Sequence, residues 1–278
     1  MKKWSKRIGF FFLVLLALVG LKKIFSTPGA FGKALGVVEV NGAIWVSDDW
    51  VEQLDNFRKN DHIKGILVRV NSPGGTVAAS QEIYSNIKRI ALTKPVVVSM
   101  GTIAASGGLY LAMGANKIFA DPGTITGSIG VRMDHVNLEE LLRFAKIKYE
   151  TIKSGKLKDM GSFTHALSPE AQTLLEQLMT EIHNQFKTVV SEARNIPKEK
   201  LDTFADGRIL SGATAKELGL IDELGDFRDA VSALAKMAKI EGEPELVYAD
   251  KSAAWWVRGF MGTTKIFLSG PQFCYLYP

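Results

Sequence analysis

The stretch Ile63–Asn116 reads "IKGILVRVNSPGGTVAASQEIYSNIKRIALTKPVVVSMGTIAASGGLYLAMGAN", and its pattern decides the fold class. It opens on a run rich in Ile, Leu and Val that stops at Ser72-Pro73-Gly74-Gly75, which is a strand ended by a turn. "TVAASQEIYSNIKRI" then places its apolar residues at helical spacing, and "KPVVVSM" is a second strand. Strands alternating with helices at short spacing predict an α/β domain with a largely parallel sheet. Ligands of such sheets bind beyond the carboxyl ends of the strands. Both "NSPGG" and Ser106 fall at such ends. Ser106 stands between Ala105 and Gly107, among residues too small to cover it, so an uncovered hydroxyl is expected there.

The same alternation extends outward. Upstream, "ALGVVEVNGAIW" is an apolar run broken at Asn41-Gly42, and "VEQLDNFRKN" is helical in period. Downstream, Ser168 caps a long helix with Pro169 and Glu170 in its first turn. Leu174, Leu175, Leu178, Met179, Ile182, Phe186, Val189 and Val190 are expected on one face of it, for core or subunit contact. "DFRDAVSALAKMAKI" is a last amphipathic helix, followed by an aromatic tail over residues 241–278 that fits packing on the domain, a subunit seam or a bilayer surface.

At 278 residues, 46% hydrophobic and 23% charged, the chain is long and apolar enough for a sizeable core. Residues 1–33 hold seven Lys or Arg and no acid, so the net charge of +5 becomes −2 for the body. A mildly acidic body argues against a nucleic-acid partner. The positive end, "MKKWSKRIGFFFLVLLALVGLKKIFS", surrounds an uncharged run from Ile8 to Leu21 that spans about 21 Å as a helix. Snorkelling of Lys22 and Lys23 extends it through Phe25 to about 27 Å, near the roughly 30 Å of a hydrocarbon core. A cleaved signal peptide is the rival reading, but two lysines follow the run and no good small-residue cleavage site adjoins it. Residues 1–7 are thus expected in the cytoplasm, 8–25 as a single-pass anchor in the cytoplasmic membrane, 26–34 as a linker, and the body outside the cytoplasm. Cys274 is the single cysteine, which excludes an intramolecular disulfide, and the four histidines are scattered without metal-ligand spacing. No metal and no cofactor are expected.

A serine nucleophile needs a base within hydrogen-bond reach and donors for the oxyanion. Gly74 and Gly75, and the amide of Gly107 after Ser106, can supply those donors. Ala104 stands where a G-x-S-x-G elbow has its first glycine, which argues against an α/β-hydrolase. A histidine base is poorly supported, because only His135 lies at a suggestive distance and it lacks an obvious acidic partner.

"VNSPGG", "GTIAASGGLYLAMGANKIFADPGTITGSIGV", "SGKLKD" and "DGRILSGATAKELGLIDELG" occur in that order, and together they resemble the signal peptide peptidase A family. The resemblance runs from about Leu35 to Ile240 and implies a membrane-anchored serine peptidase of ClpP/crotonase-like fold, with residues 35–240 as the peptidase domain. It makes Ser106 the nucleophile and Lys158, directly before Asp159, the general base, with Lys153 and Lys156 as competitors. It makes Ser128 the lysine-orienting residue and Gly75 and Gly107 the oxyanion hole. It also implies peptide substrates such as signal-peptide remnants, and a homo-oligomeric ring in which Ser and Lys can come from adjacent protomers. "MGSFTHALSPE" after Asp159 departs from the family pattern, which leaves the shape of that loop open. A lysine base must be neutral, so the dyad requires a dry pocket around the amine. A crotonase-type CoA-dependent enzyme, which needs neither Ser106 nor Lys158, and a non-catalytic membrane scaffold are the alternatives.

Overall fold

Ala34–Asn41 (β1), Ile63–Ser72 (β2) and Val96–Ala104 (β4) are almost wholly buried, because both faces of the sheet they form are covered. The computed structural model describes residues 33–249 and 273–276. The expected anchor at 8–25 and most of the aromatic tail lie outside the described residues. Among those described, no helix is long and apolar enough to cross a membrane.

Asp48–Lys59 (α1) links β1 to β2. Gly74–Thr76 (β3) and Val77–Ala91 (α2) lead to β4, and Gly107–Ala112 (α3) leads to Lys117–Ala120 (β5). Ile125–Gly127 (β6), Arg132–Met133 (β7) and Glu139–Phe144 (α4) come next. They are followed by Pro169–Arg194 (α5), Lys198–Leu201 (α6), Ile209–Ser211 (β8) and Gly212–Leu218 (α7). Glu223–Leu224 (β9), Phe227–Met237 (α8), Glu245–Tyr248 (β10) and Phe273–Leu276 (β11) complete the order. The main sheet runs β10-β1-β2-β4-β5-β9, every neighbour parallel, as the alternation of strands and helices predicts. β6 adds in parallel at Ile103 of β4 and carries β8 antiparallel beside it. Because β10 pairs with β1, the sheet continues past residue 240.

The sheet separates two apolar layers. On one side α8 lays Ala230, Leu234 and Ala235 over Leu35, Val37, Leu67, Val97 and Phe119. On the other, α1, α2, α3 and α5 enclose Val38, Val68, Val98, Leu109 and Phe186. Gly36 has no side chain because Phe57 occupies that space, its ring 2.6 Å from where a Cβ would stand.

α5 begins as its sequence requires. The Ser168 hydroxyl accepts the Ala171 N–H at 3.2 Å, with Pro169 in the first turn, and Asn195 ends the helix in the left-handed region. Its apolar stripe divides, however. Leu175, Phe186 and Val190 are buried, whereas Leu174 and Leu178 are exposed. Leu174 and Leu178 each sit one residue, about 100°, round the helix from the core-facing positions. At the far end Arg194 holds Asp222 through both guanidinium nitrogens at 3.1 and 2.9 Å. Asp222 also accepts the Ile118 N–H at 2.7 Å, which ties α5 to the sheet.

Candidate active site

The site forms where three strands run out. β4 ends at Ala104 and α3 starts at Gly107, so the chain must turn within Ala105 and Ser106. Ser106 takes the turn with φ 54° and ψ −113°, a conformation that costs a residue with a Cβ on the order of 1–3 kcal/mol. Hydrogen bonds hold it there. Ala105 N–H donates to the Ser72 carbonyl at 3.1 Å, Ser106 N–H to the Gly127 carbonyl at 2.9 Å, and Tyr110 N–H to the Ser106 carbonyl at 2.8 Å. The ends of β2, β4 and β6 are thereby fastened together around one serine.

Ser106 is only 1% exposed, which corrects the expectation of an uncovered hydroxyl. Small neighbours do not leave the site open; they let backbone approach. A Cβ on Gly107 would stand 3.1 Å from the Gly75 nitrogen and 2.4 Å from Ser80 Oγ, so only a glycine there lets the start of α3 approach the backbone of Gly75 this closely. Gly75 is equally constrained, since a Cβ there would lie 1.9 Å from the Ile44 carbonyl oxygen. Ile44 donates to the Gly74 carbonyl at 2.8 Å and accepts from Thr76 N–H at 2.8 Å. The N–H and C=O of Gly75 therefore face the opposite edge of β3.

Ser128 follows Gly127, whose carbonyl binds the Ser106 amide, so the structure brings Ser106, Ser128, Gly75 and Gly107 together. Ser128 also has a positive φ, 51°, and its N–H donates to the Arg208 carbonyl at 2.7 Å. The turn supplying that carbonyl is shaped by Arg208 against Asp206, and this hydrogen-bonded guanidinium holds the Asp206 carboxyl down at about 2. Sequence reasoning gave no role to Ser72, whose hydroxyl accepts the Gly74 N–H at 3.1 Å and sets the start of β3. The only signal for it was a hydroxyl residue directly before Pro-Gly-Gly.

The candidate lysines lie on the segment between β7 and α5. Lys158 is exposed, and no hydrogen bond joins it to Ser106 or Ser128 among the described residues. Lys153 is paired with Asp159 at 2.7 Å, and Lys156 with Glu170. Those two amines are thus already engaged by carboxylates. Of the three, Lys158 lacks such a partner among the described residues.

His165 shares Asp159 with Lys153. Its Nδ1 lies 2.9 Å from the Ala166 carbonyl and its Nε2 3.1 Å from Asp159 Oδ2. Both ring nitrogens face acceptors, which only the imidazolium satisfies fully. The Ala166 carbonyl first, and then Asp159, raise the His165 pKa above 6.5; the Lys153 hydrogen bond first, and then His165, lower that of Asp159. A raised folded-state pKa gives stability that is complete below 6.5 and is lost as pH climbs through the folded value. The NMR titration midpoint of His165 is expected above 6.5 and should fall in Asp159→Asn. A midpoint at or below 6.5 in the parent contradicts this contact.

A serine on a strained strand-to-helix turn, with the backbone of two glycines packed together beside it, is the arrangement of an enzyme that attacks carbonyl carbons through a hydroxyl. Residues 88–241 match Peptidase family S49, and residues 39–124 match the Clp protease family. A protease of Synechocystis sp. is 44% identical over 220 residues, 78% of each chain. Signal peptide peptidase SppA of Enterococcus faecium is 32% identical over 262 residues, 86% of this chain and 76% of that one. Protease 4 of Salmonella typhi is 38% identical over 226 residues, 78% of this chain but only 36% of its own longer chain. This chain belongs to Peptidase family S49, the signal peptide peptidase A family, and is a serine peptidase with a mostly parallel α/β fold. Membership sets aside the CoA-dependent and scaffold alternatives.

Proposed function

We propose that this peptidase is a membrane-anchored endopeptidase that cuts short apolar peptides, signal-peptide remnants among them, with Ser106 as nucleophile and Lys158 as base. The observation that carries this reading is the meeting of Gly75 and Gly107 beside the strained Ser106. Ser106 Oγ bonds to the scissile carbonyl carbon while its proton passes to the Lys158 amine. The oxyanion so formed accepts from the Gly75 and Gly107 N–H groups, each such donor being worth about 2.7–4 kcal/mol in the transition state. The C–N bond then breaks, and the Lys158 ammonium gives its proton to the leaving amine. Water, deprotonated by the same amine, releases the acyl group from Ser106. Ser128 orients the amine through a hydrogen bond.

A lysine with an ordinary pKa near 10.4 is almost wholly protonated at neutral pH, so this chemistry needs the amine dehydrated. Lys158 is exposed in the single chain, and its segment also exposes Val136, Leu141, Ile147, Tyr149 and, at 87%, Phe144. A second copy laid over that apolar surface supplies the missing cover and makes the working enzyme a ring of like subunits. The anchor at residues 8–25 places the site close to peptides left in the bilayer.

Purified full-length protein is expected to hydrolyse an apolar fluorogenic peptide at least about tenfold faster, in kcat/KM, than a charged peptide of equal length. That ratio corresponds to about 1.4 kcal/mol, within the reach of one buried aliphatic side chain. Equal turnover of the two contradicts the substrate assignment.

A further inference from the structure

His183 lies half-buried on α5, with its Nε2 3.0 Å from the Ile129 carbonyl oxygen. A carbonyl only accepts, so Nε2 carries the proton in this contact. Ile129 is 1% exposed and directly follows Ser128, the residue that orients the amine in the proposed chemistry. Three successive residues of that turn are therefore held. The Gly127 carbonyl accepts the Ser106 N–H, the Ser128 N–H donates to the Arg208 carbonyl, and the Ile129 carbonyl takes the His183 ring. Of these contacts only the last comes from a side chain. Ser128 needs such fastening, because a φ of 51° is costly for a residue with a Cβ and persists only where the surroundings impose it.

The same face of α5 reaches the helix that follows the nucleophile. Phe186, three residues along from His183, is fully buried, and its ring centroid lies 4.9 Å from that of Tyr110. Tyr110 is on α3, and its N–H donates to the Ser106 carbonyl. One turn of α5 thus touches the turn of Ser128 through His183 and the helix of Ser106 through Phe186.

We propose that His183 is a positioning residue of this peptidase. Through the Ile129 carbonyl it sets where the Ser128 hydroxyl stands relative to Ser106, and so where the base amine is held. This inference rests on Ser128 orienting that amine. A misplacement of about 1 Å at a catalytic group can cost about 10²-fold in rate. Loss of His183 leaves the glycines that receive the peptide in place, so its effect falls on kcat.

His183→Ala in the full-length protein is expected to lower kcat for an apolar fluorogenic peptide by about 10–100-fold, with KM within about twofold of the parent. His183→Gln, whose side-chain amide can also donate to the Ile129 carbonyl, should keep kcat within about threefold. Rates are taken per folded molecule, with the folded fraction read by circular dichroism. A histidine that merely braces the fold would give a loss that adds to that of Ser128→Ala. A positioning role predicts that His183→Ala costs nothing further in a Ser128→Ala background. NMR of the imidazole nitrogens in the parent needs no variant to fold, and is expected to show Nε2 protonated; an unprotonated Nε2 overturns the contact. Parental kcat in His183→Ala, a His183→Gln as slow as His183→Ala, or additive losses each overturn the proposal, and an impaired Ser128→Ala then leaves the active-site reading intact. Parental kcat in Ser128→Ala overturns that reading of Ser128 itself, and the role of His183 falls with it.

Discussion

Ser106→Ala is expected to lower kcat for peptide hydrolysis by roughly 10⁴–10⁶-fold, and Lys158→Ala by a similar factor. The double variant should be no worse than either single one, because a nucleophile and its base act as one unit. Lys153→Ala and Lys156→Ala should keep most of the activity, since their amines are engaged by Asp159 and Glu170. Full activity in Lys158→Ala together with a dead Lys156→Ala would move the base. Stability separates chemistry from folding. Ser106→Ala keeps a Cβ in the strained turn and should melt close to the parent. Ser106→Gly relieves a φ of 54° and should raise stability by about 1 kcal/mol while being equally inactive. A glycine variant no more stable than the parent would show that the turn stores no strain.

Gly75→Ala is expected to damage fold and catalysis together. The new methyl would lie 1.9 Å from the Ile44 carbonyl oxygen and 2.4 Å from its carbon, both backbone atoms that cannot swing aside. Either β3 or the Ile44 segment must move, at a cost of about 1–3 kcal/mol or more. Because β3 carries the Gly75 N–H, the same movement withdraws an oxyanion donor, and kcat should fall by about 10²–10³-fold. Gly123→Ala is the control, as no atom lies within 4 Å of the added carbon. It should stay within about 0.5 kcal/mol of the parent and keep full activity. Chemical denaturation and kcat, measured on both, decide the matter; a fully active Gly75→Ala excludes Gly75 from the oxyanion hole.

The sheet and the turn at Ser106 were legible because they rest on local rules. β2, α2 and β4 each fill a window whose periodicity identifies it, and Ser168 and Pro169 mark the start of α5 by chemistry confined to one turn. What sequence could not supply was distance. β11 meets β3 across nearly two hundred residues, and four residues of "FCYL" carry no pattern that names a partner. The burial of Ser106 escaped for a related reason, since small neighbours were read as leaving space when they in fact admit backbone from β3. Leu174 and Leu178 were placed on the face expected for core or subunit contact, and one helical step turns them away from the core. The choice among Lys153, Lys156 and Lys158 became physical only once the ion pairs of the first two were visible.

The central claim is that an uncharged Lys158 amine takes the proton of Ser106. Labelling of Ser106 by a fluorophosphonate, followed by mass spectrometry as pH is varied, tests it most directly. The account predicts a labelling rate that rises through a midpoint well below the free-lysine value of about 10.4 and is lost in Lys158→Ala. Ser106 labelled equally fast with Lys158 present and with alanine in its place would contradict it.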